Sequence, residues 1–139
     1  MRAKAALIAA VLTAAVAVGA VGALAAGSPA STKTVTVALS EWKLTPSATR
    51  APAGKVTFVV RNRGNIEHEF VVIRTTRHHH LLPTSGGQAS EAGTIGEIEE
   101  IGPGQTKRVT LRLKAGKYVL ICNLPGHYMA GQYASLQVR

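Results

Sequence analysis

Beyond residue 30 the chain alternates between apolar and polar positions with a period of two. Val35, Val37 and Leu39 share one face of Thr34 to Leu39, and Val56, Phe58 and Val60 share one face of Lys55 to Val60. Arg108 to Lys114 sets Val109, Leu111 and Leu113 against four polar residues. Tyr118, Leu120 and Cys122 line up in the same way, as do Ala134, Leu136 and Val138. His68 to Ile73 is more continuously apolar, with His68, Phe70 and Val72 on one side. Runs of this period, rich in Val, Thr, Leu and aromatics, predict half-buried strands. Turn chemistry separates them at Ala53-Gly54, Asn62 to Asn65, Pro103-Gly104, Ala115-Gly116 and Pro125-Gly126. Two weaker strands, around Trp42 to Leu44 and Thr94 to Ile101, bring the number to seven or eight, with Trp42 assigned to core packing. An all-β Greek-key sandwich or small barrel follows. No helical period, internal repeat or second domain is visible after residue 30, and Thr75 to Gly93 reads as an irregular link.

The first residues obey another rule. Arg2 and Lys4 precede 22 uncharged positions, Ala5 to Ala26, of which eleven are Ala. Ala23-Leu24-Ala25 offers a small-x-small cleavage pattern, and Gly27-Ser28-Pro29 follows as a break. Residues 1–26 are therefore expected to be a signal peptide or a retained membrane anchor, since 22 uncharged residues also suffice to span a bilayer. Residues 27–32 read as a linker and residues 33–139 as the domain. The start lacks a twin-arginine pair, so general secretory export is expected, with the domain periplasmic, on the cell surface or secreted.

The chain has 139 residues, enough for one modest core. All seven acidic residues are Glu, so mechanisms that need an Asp are excluded. One Cys excludes an intrachain disulfide, a four-thiolate metal site and covalent haem attachment through two thiols. Sixteen Lys and Arg give a net charge of +9; without Arg2 and Lys4 the balance is 14 − 7 = +7. Anionic polymers, lipid headgroups or acidic protein faces are the corresponding partners. The cations are spread along the chain rather than clustered, which argues against nucleic acid.

The chemistry gathers around the single thiol. A lone Cys in an exported protein is usually an inert core residue, but Cys122-Asn123-Leu124-Pro125-Gly126-His127 carries an imidazole five residues on, across a turn able to fold it back. His68 opens another inward-patterned strand. A thiolate with two imidazoles and a weak fourth ligand describes a blue-copper site. These stretches, Asn62 to Val72 and Gly116 to His127, resemble those of the cupredoxins, the small blue-copper electron carriers such as plastocyanin, azurin and the phytocyanins. The resemblance covers about Lys33 to Arg139. It implies a copper ion held by His68, Cys122 and His127 and cycling between Cu(I) and Cu(II), with an electron exit at His127 flanked by Leu124, Pro125 and Met129.

Two departures stand out. Plastocyanin-like members carry Met five residues after the second His and azurin-like ones four; here those positions are Gln132 and Gly131. The axial role passes to Gln132, as in the Gln-ligated phytocyanins, with Met129 the rival. Many members also have Asn after the first His, tying the ligand loops together; Glu69 stands here and is expected to face solvent. His78-His79-His80 reads as a solvated loop with a second metal as its alternative reading. The function expected is a monomeric electron carrier between extracytoplasmic redox proteins, with a copper chaperone or storage protein as the alternative. A Cys122–His127 nucleophile lacks a third orienting residue, so the chain is not expected to be an enzyme.

Overall fold

The computed structural model describes residues 33–139; the signal or anchor segment and the linker lie outside the described residues. The strands are β1 (Lys33–Ser40), β2 (Lys43–Pro46), β3 (Arg50–Ala51), β4 (Gly54–Asn62), β5 (His68–Arg74), β6 (Thr84–Ser85), β7 (Gln88–Ala89), β8 (Thr94–Ile101), β9 (Thr106–Leu113), β10 (Gly116–Ile121) and β11 (Tyr133–Val138). Eight have four residues or more, at the positions the alternation marks, and the other three are two-residue pieces. One sheet runs β2-β1-β4-β9 and the other β3-β11-β10-β5-β8, while β6 and β7 form a separate hairpin. Pairing is antiparallel except for β1 with β4 and β11 with β3. Among the described residues there is no helix.

The inward sides of the two large sheets form the core. Val35, Val37 and Leu39 meet Phe58, Val60, Phe70, Val72, Leu120 and Leu136. Phe58 on β4 and Phe70 on β5 join the sheets across the middle, with ring centroids 5.2 Å apart and planes tilted by 50°. The continuously apolar run in β5 has its own cause. Val71 and Ile73 face the opposite side of the sheet, where Val119, Ile121, Leu82, Ala89 and Tyr128 cover them. The link from Thr75 to Gly93 thus acts as a lid on that outer face, and β5 and β10 are buried on both sides.

Trp42 departs from its expectation. It sits in the β1–β2 turn with φ 62°, and half of it is exposed. A positive φ is unusual for a bulky side chain. β8 bends against β5: Glu99 and Glu100 oppose the single residue Glu69, between the pairs His68↔Ile101 and Phe70↔Ile98. Glu100, with φ 53°, takes up the extra residue, and such a bulge twists the strand end that carries His68.

Removing an aromatic ring at the sheet-to-sheet contact deletes both transfer energy and packing. Phe58→Ala and Phe70→Ala are each expected to cost about 3–5 kcal/mol in urea denaturation. A double-mutant cycle should return a coupling of roughly 0.5–1.5 kcal/mol.

Candidate metal centre

Three elements bring the expected residues to one end of the sandwich. His68 is the first residue of β5, Cys122 follows the end of β10, and His127 lies in the loop that leads to β11. Within that loop the His127 N–H donates to the Leu124 carbonyl at 2.9 Å. Pro125 and Gly126 are the central residues of that turn, and Gly126 has φ 85°, as a type II turn demands at its third position. The Cys122 N–H donates to the Gln132 carbonyl at 3.1 Å, closing the loop at its neck.

His68, Cys122 and His127 present one nitrogen or sulfur each, all within 4.8 Å of one another. Cys122 Sγ is 3.3 Å from His127 Nδ1 and 3.8 Å from His68 Nδ1, and the two Nδ1 atoms are 3.3 Å apart. His68 and Cys122 are fully buried and His127 nearly so. Burial pushes the Cys122 thiol up to about 11 and lowers the basicity of His68, with the neighbouring His127 adding to the effect. Neutral, converging donors of this kind suit a soft or borderline cation, which would replace the thiol proton.

Gln132 is fully buried beside them. Its Nε2 donates to the Ser40 carbonyl at 3.0 Å and lies 3.1 Å from His68 Nδ1. A carbonyl oxygen only accepts, so the atom facing Ser40 is the amide nitrogen. His68 Nδ1 is then an acceptor and its ring proton sits on Nε2, which lies 4.0 Å from the Glu41 carboxylate. Gln132 Oε1 is buried without a hydrogen-bond partner, an acceptor that a bound cation would satisfy. Met129, its rival, is 63% exposed. Gln132 is thus buried against His68 through its amide nitrogen, whereas Met129 is exposed. His78, His79 and His80 form no second convergent group among the described residues. His79 is half-buried, with its ring against Tyr133 and its Nδ1 2.7 Å from Ser135 Oγ.

The surrounding loops are pinned by side chains that the sequence pattern did not single out. Asn62, fully buried at the end of β4, accepts from the Gly64 N–H and donates to the carbonyls of Ile66 and Ile101. Glu41 accepts the N–H groups of Asn65 and Ile66, which hold its carboxyl below the usual range. A side chain at position 64 would collide with that carboxylate, which is why Gly64 fits there. Trp42 lays its ring edge-on to His127, centroids 5.1 Å apart.

Glu69 does not face solvent as expected. Its backbone N–H donates to Cys122 Sγ at 3.3 Å, and its carboxylate accepts the Asn123 N–H at 2.9 Å. It thus ties the two ligand-bearing segments together, the role that Asn has in the families this chain resembles. Burial raises its pKa above the usual carboxylate value, with Glu91, Glu97 and Glu99 adding to the effect. Asn123 continues the tie to the β6–β7 hairpin by accepting the Ala89 N–H at 2.7 Å.

Glu69→Ala removes this tie, worth about 1.5–3 kcal/mol for a hydrogen bond to a charged group. Cys122 in the metal-free protein should then react with a thiol reagent roughly ten- to a hundredfold faster, while Glu69→Gln, which keeps an acceptor oxygen, stays near wild type.

The profile of the cupredoxin-like domain matches residues 6–133. Among curated proteins, the chain is 32% identical over 113 residues to the copper-resistant cuproprotein CopI of Vibrio cholerae, covering 76% of this chain. It is 29% identical over 117 residues to CopI of Rubrivivax gelatinosus, covering 77% of this chain. The matches span 65% and 67% of those relatives' own lengths. Among solved structures, rusticyanin from Thiobacillus ferrooxidans superposes with a TM-score of 0.64 at 16% identity, over 78% of this chain and 77% of that one. Auracyanin from Roseiflexus castenholzii gives 0.59 at 19%, over 77% of this chain and 97% of that one. At such identities these two establish the fold alone, whereas the profile match spans most of the sequence: the chain belongs to the cupredoxin-like domain family.

Proposed function

We propose that residues 33–139 form an extracytoplasmic electron carrier holding one copper ion in a mononuclear type 1 site. His68, Cys122 and His127 are its strong ligands and Gln132 its axial ligand. The observation that carries this reading is the buried convergence of two imidazole Nδ1 atoms on one thiol sulfur. Bound there, copper supplies a one-electron couple between Cu(I) and Cu(II). The chain's own part is to hold the donors still. β5 and β10 fix His68 and Cys122, the neck bond between Cys122 and Gln132 fixes the loop, and Glu69 and Asn62 lock the segments on either side. Cys122 Sγ gives up its proton to become a ligand, while His68 keeps its ring proton on Nε2.

His127 offers the exit for an electron. It is the least buried of the three, and Trp42, Leu124, Pro125 and Met129 surround it with apolar surface that an extracytoplasmic redox protein could meet. The segment before residue 33 fits a signal for general secretory export or an anchor. A copper chaperone or storage role is the second reading, supported by the name of the two relatives, copper-resistant cuproprotein. A carrier keeps its copper through repeated oxidation and reduction, whereas a chaperone loses it to an acceptor or a competing chelator.

Adding Cu(II) to the purified protein should produce an intense visible sulfur-to-copper band that is absent in Cys122→Ala. A colourless wild type with Cu(II) bound elsewhere would refute the ligand set. An amide oxygen is a harder donor than a thioether and favours Cu(II), so Gln132→Met should raise the reduction potential in voltammetry. Met129→Leu should leave it unchanged. A potential that moves with Met129 and not with Gln132 would reverse the axial assignment.

A further inference from the structure

Cations that look scattered along the sequence are gathered by the fold. The four strands of the β2-β1-β4-β9 sheet carry Lys33, Lys43, Lys55, Arg61, Lys107, Arg108 and Arg112, half of the fourteen in the mature chain, and no acidic residue. All seven Glu lie elsewhere: in the β1–β2 turn, the loop before β5, β5 itself, the segment before β8, and β8. With every carboxylate side chain of the protein in view, none comes within 4.0 Å of these seven cations.

The alternation in β4 and β9 puts most of this charge on the sheet's outer face. Val56, Phe58 and Val60 point into the core, so Lys55, Thr57, Val59 and Arg61 point away from it. On β9 they pair with Arg112, Thr110, Arg108 and Thr106. Lys55 stands directly opposite Arg112, a like-charge pair that destabilises a sheet, and no counter-charge relieves it. Near the other end of this face Arg61 and Arg63 line a shallow cavity of about 370 Å³ with Thr36, Thr45, Ser47 and Thr106. Those two arginines add positive charge at that end of the face, over a lining that also includes Val37, Ala38, Pro46 and Val59.

We infer that this sheet face docks on an anionic lipid surface. The face is built of β-strands, broad and studded with long cationic side chains and threonines, which suits an extended layer of headgroups. The chain's connection favours a membrane over a soluble acidic protein: β1 begins at Lys33 on this same sheet, and six residues separate it from the end of the uncharged run Ala5 to Ala26. Retained, that run would hold the domain beside a membrane, where cations near the surface add attraction to anionic headgroups. The ligand end remains open to partners. The Ser40 end of β1 abuts Gln132, so the metal rim lies at one edge of the docked face and not beneath it.

The test uses the purified full chain and lysine acylation read by mass spectrometry, which reports on the face itself whatever the first 32 residues do. Vesicles of phosphatidylcholine containing phosphatidylglycerol should protect Lys43 and Lys55, whereas pure phosphatidylcholine should not. Protection should vanish in about 1 M salt, where the screening length falls to about 3 Å. Lys117, on β10 of the other sheet, should label equally throughout. Lys55→Glu replaces the like-charge pair with an ion pair to Arg112, so this variant should fold at least as well as wild type. Each cation near an anionic surface is worth about a fivefold gain; reversing one should weaken the vesicle-dependent protection of Lys43 roughly 25-fold, while Lys117→Glu leaves it in place. Equal protection of Lys117 and Lys55, or protection by dextran sulfate or an acidic protein without protection by vesicles, would overturn the assignment. The blue-copper spectrum is independent of this result, so either idea can fail alone.

Discussion

The metal end depends on the antiparallel pairing of β5 with β10. Val71 lies opposite Ile121 and Val72 opposite Leu120. Continued by two residues, that ladder sets Phe70 against Cys122 and Glu69 against Asn123, which is where the Glu69–Asn123 bond is found. His68 and Cys122 consequently lie on the core side of one sheet. A slip of one residue would turn one of them away, because side chains alternate with a period of two. Covering both sides of β5 and β10 with apolar clusters makes such a slip costly, since it would exchange two well-packed faces at once. The double burial that seems excessive for a small sandwich thus secures the position of two donor atoms.

That position is dry, and the dryness governs the chemistry. A buried thiol and a buried imidazole both favour their neutral forms, which is why Cys122 is pushed up to about 11 and His68 is made less basic. Glu41, 4.0 Å from His68 Nε2, favours the charged ring, yet desolvation outweighs its effect. Gln132 anchors its nitrogen on Ser40 and leaves its oxygen without a protein partner. A buried acceptor without a partner costs about 1–3 kcal/mol, so a cation bound to Oε1 would relieve that cost.

Much of this was legible in the sequence. Period two placed the long strands because each needs one face in the core, and the Pro125-Gly126 turn announced that His127 folds back. Residues that act across the fold were not legible. Glu69 was expected to face solvent by strand alternation, but the β8 bulge and the neighbouring Asn123 N–H capture its carboxylate. Trp42 reads as a core residue by type; a positive φ in a tight turn throws it onto His127. The two-residue strands β6 and β7 have no period to detect, and Asn123 ties their hairpin to the metal end through the Ala89 N–H. The gathering of cations was invisible for a simpler reason: their spacing along the chain carries no trace of sheet order.

Charge and apolar surface are therefore divided between two regions of one small body. The sheet that holds seven cations lacks any acid, while the rim around His127 is made of Trp42, Leu124, Pro125 and Met129. Electrostatic attraction reaches roughly 8–10 Å at physiological salt and tolerates imprecise fit, so it suits holding the domain at a surface. Contact at an electron exit requires short distance, which uncharged, readily desolvated side chains provide. Were the cations on the rim, binding to an anionic layer would bury the electron exit proposed at His127. Placing most of them on the outer sheet face reduces that conflict: Lys43 and Arg61 lie at the same end of the sheet as Ser40, so the metal rim borders the basic face and does not lie under it.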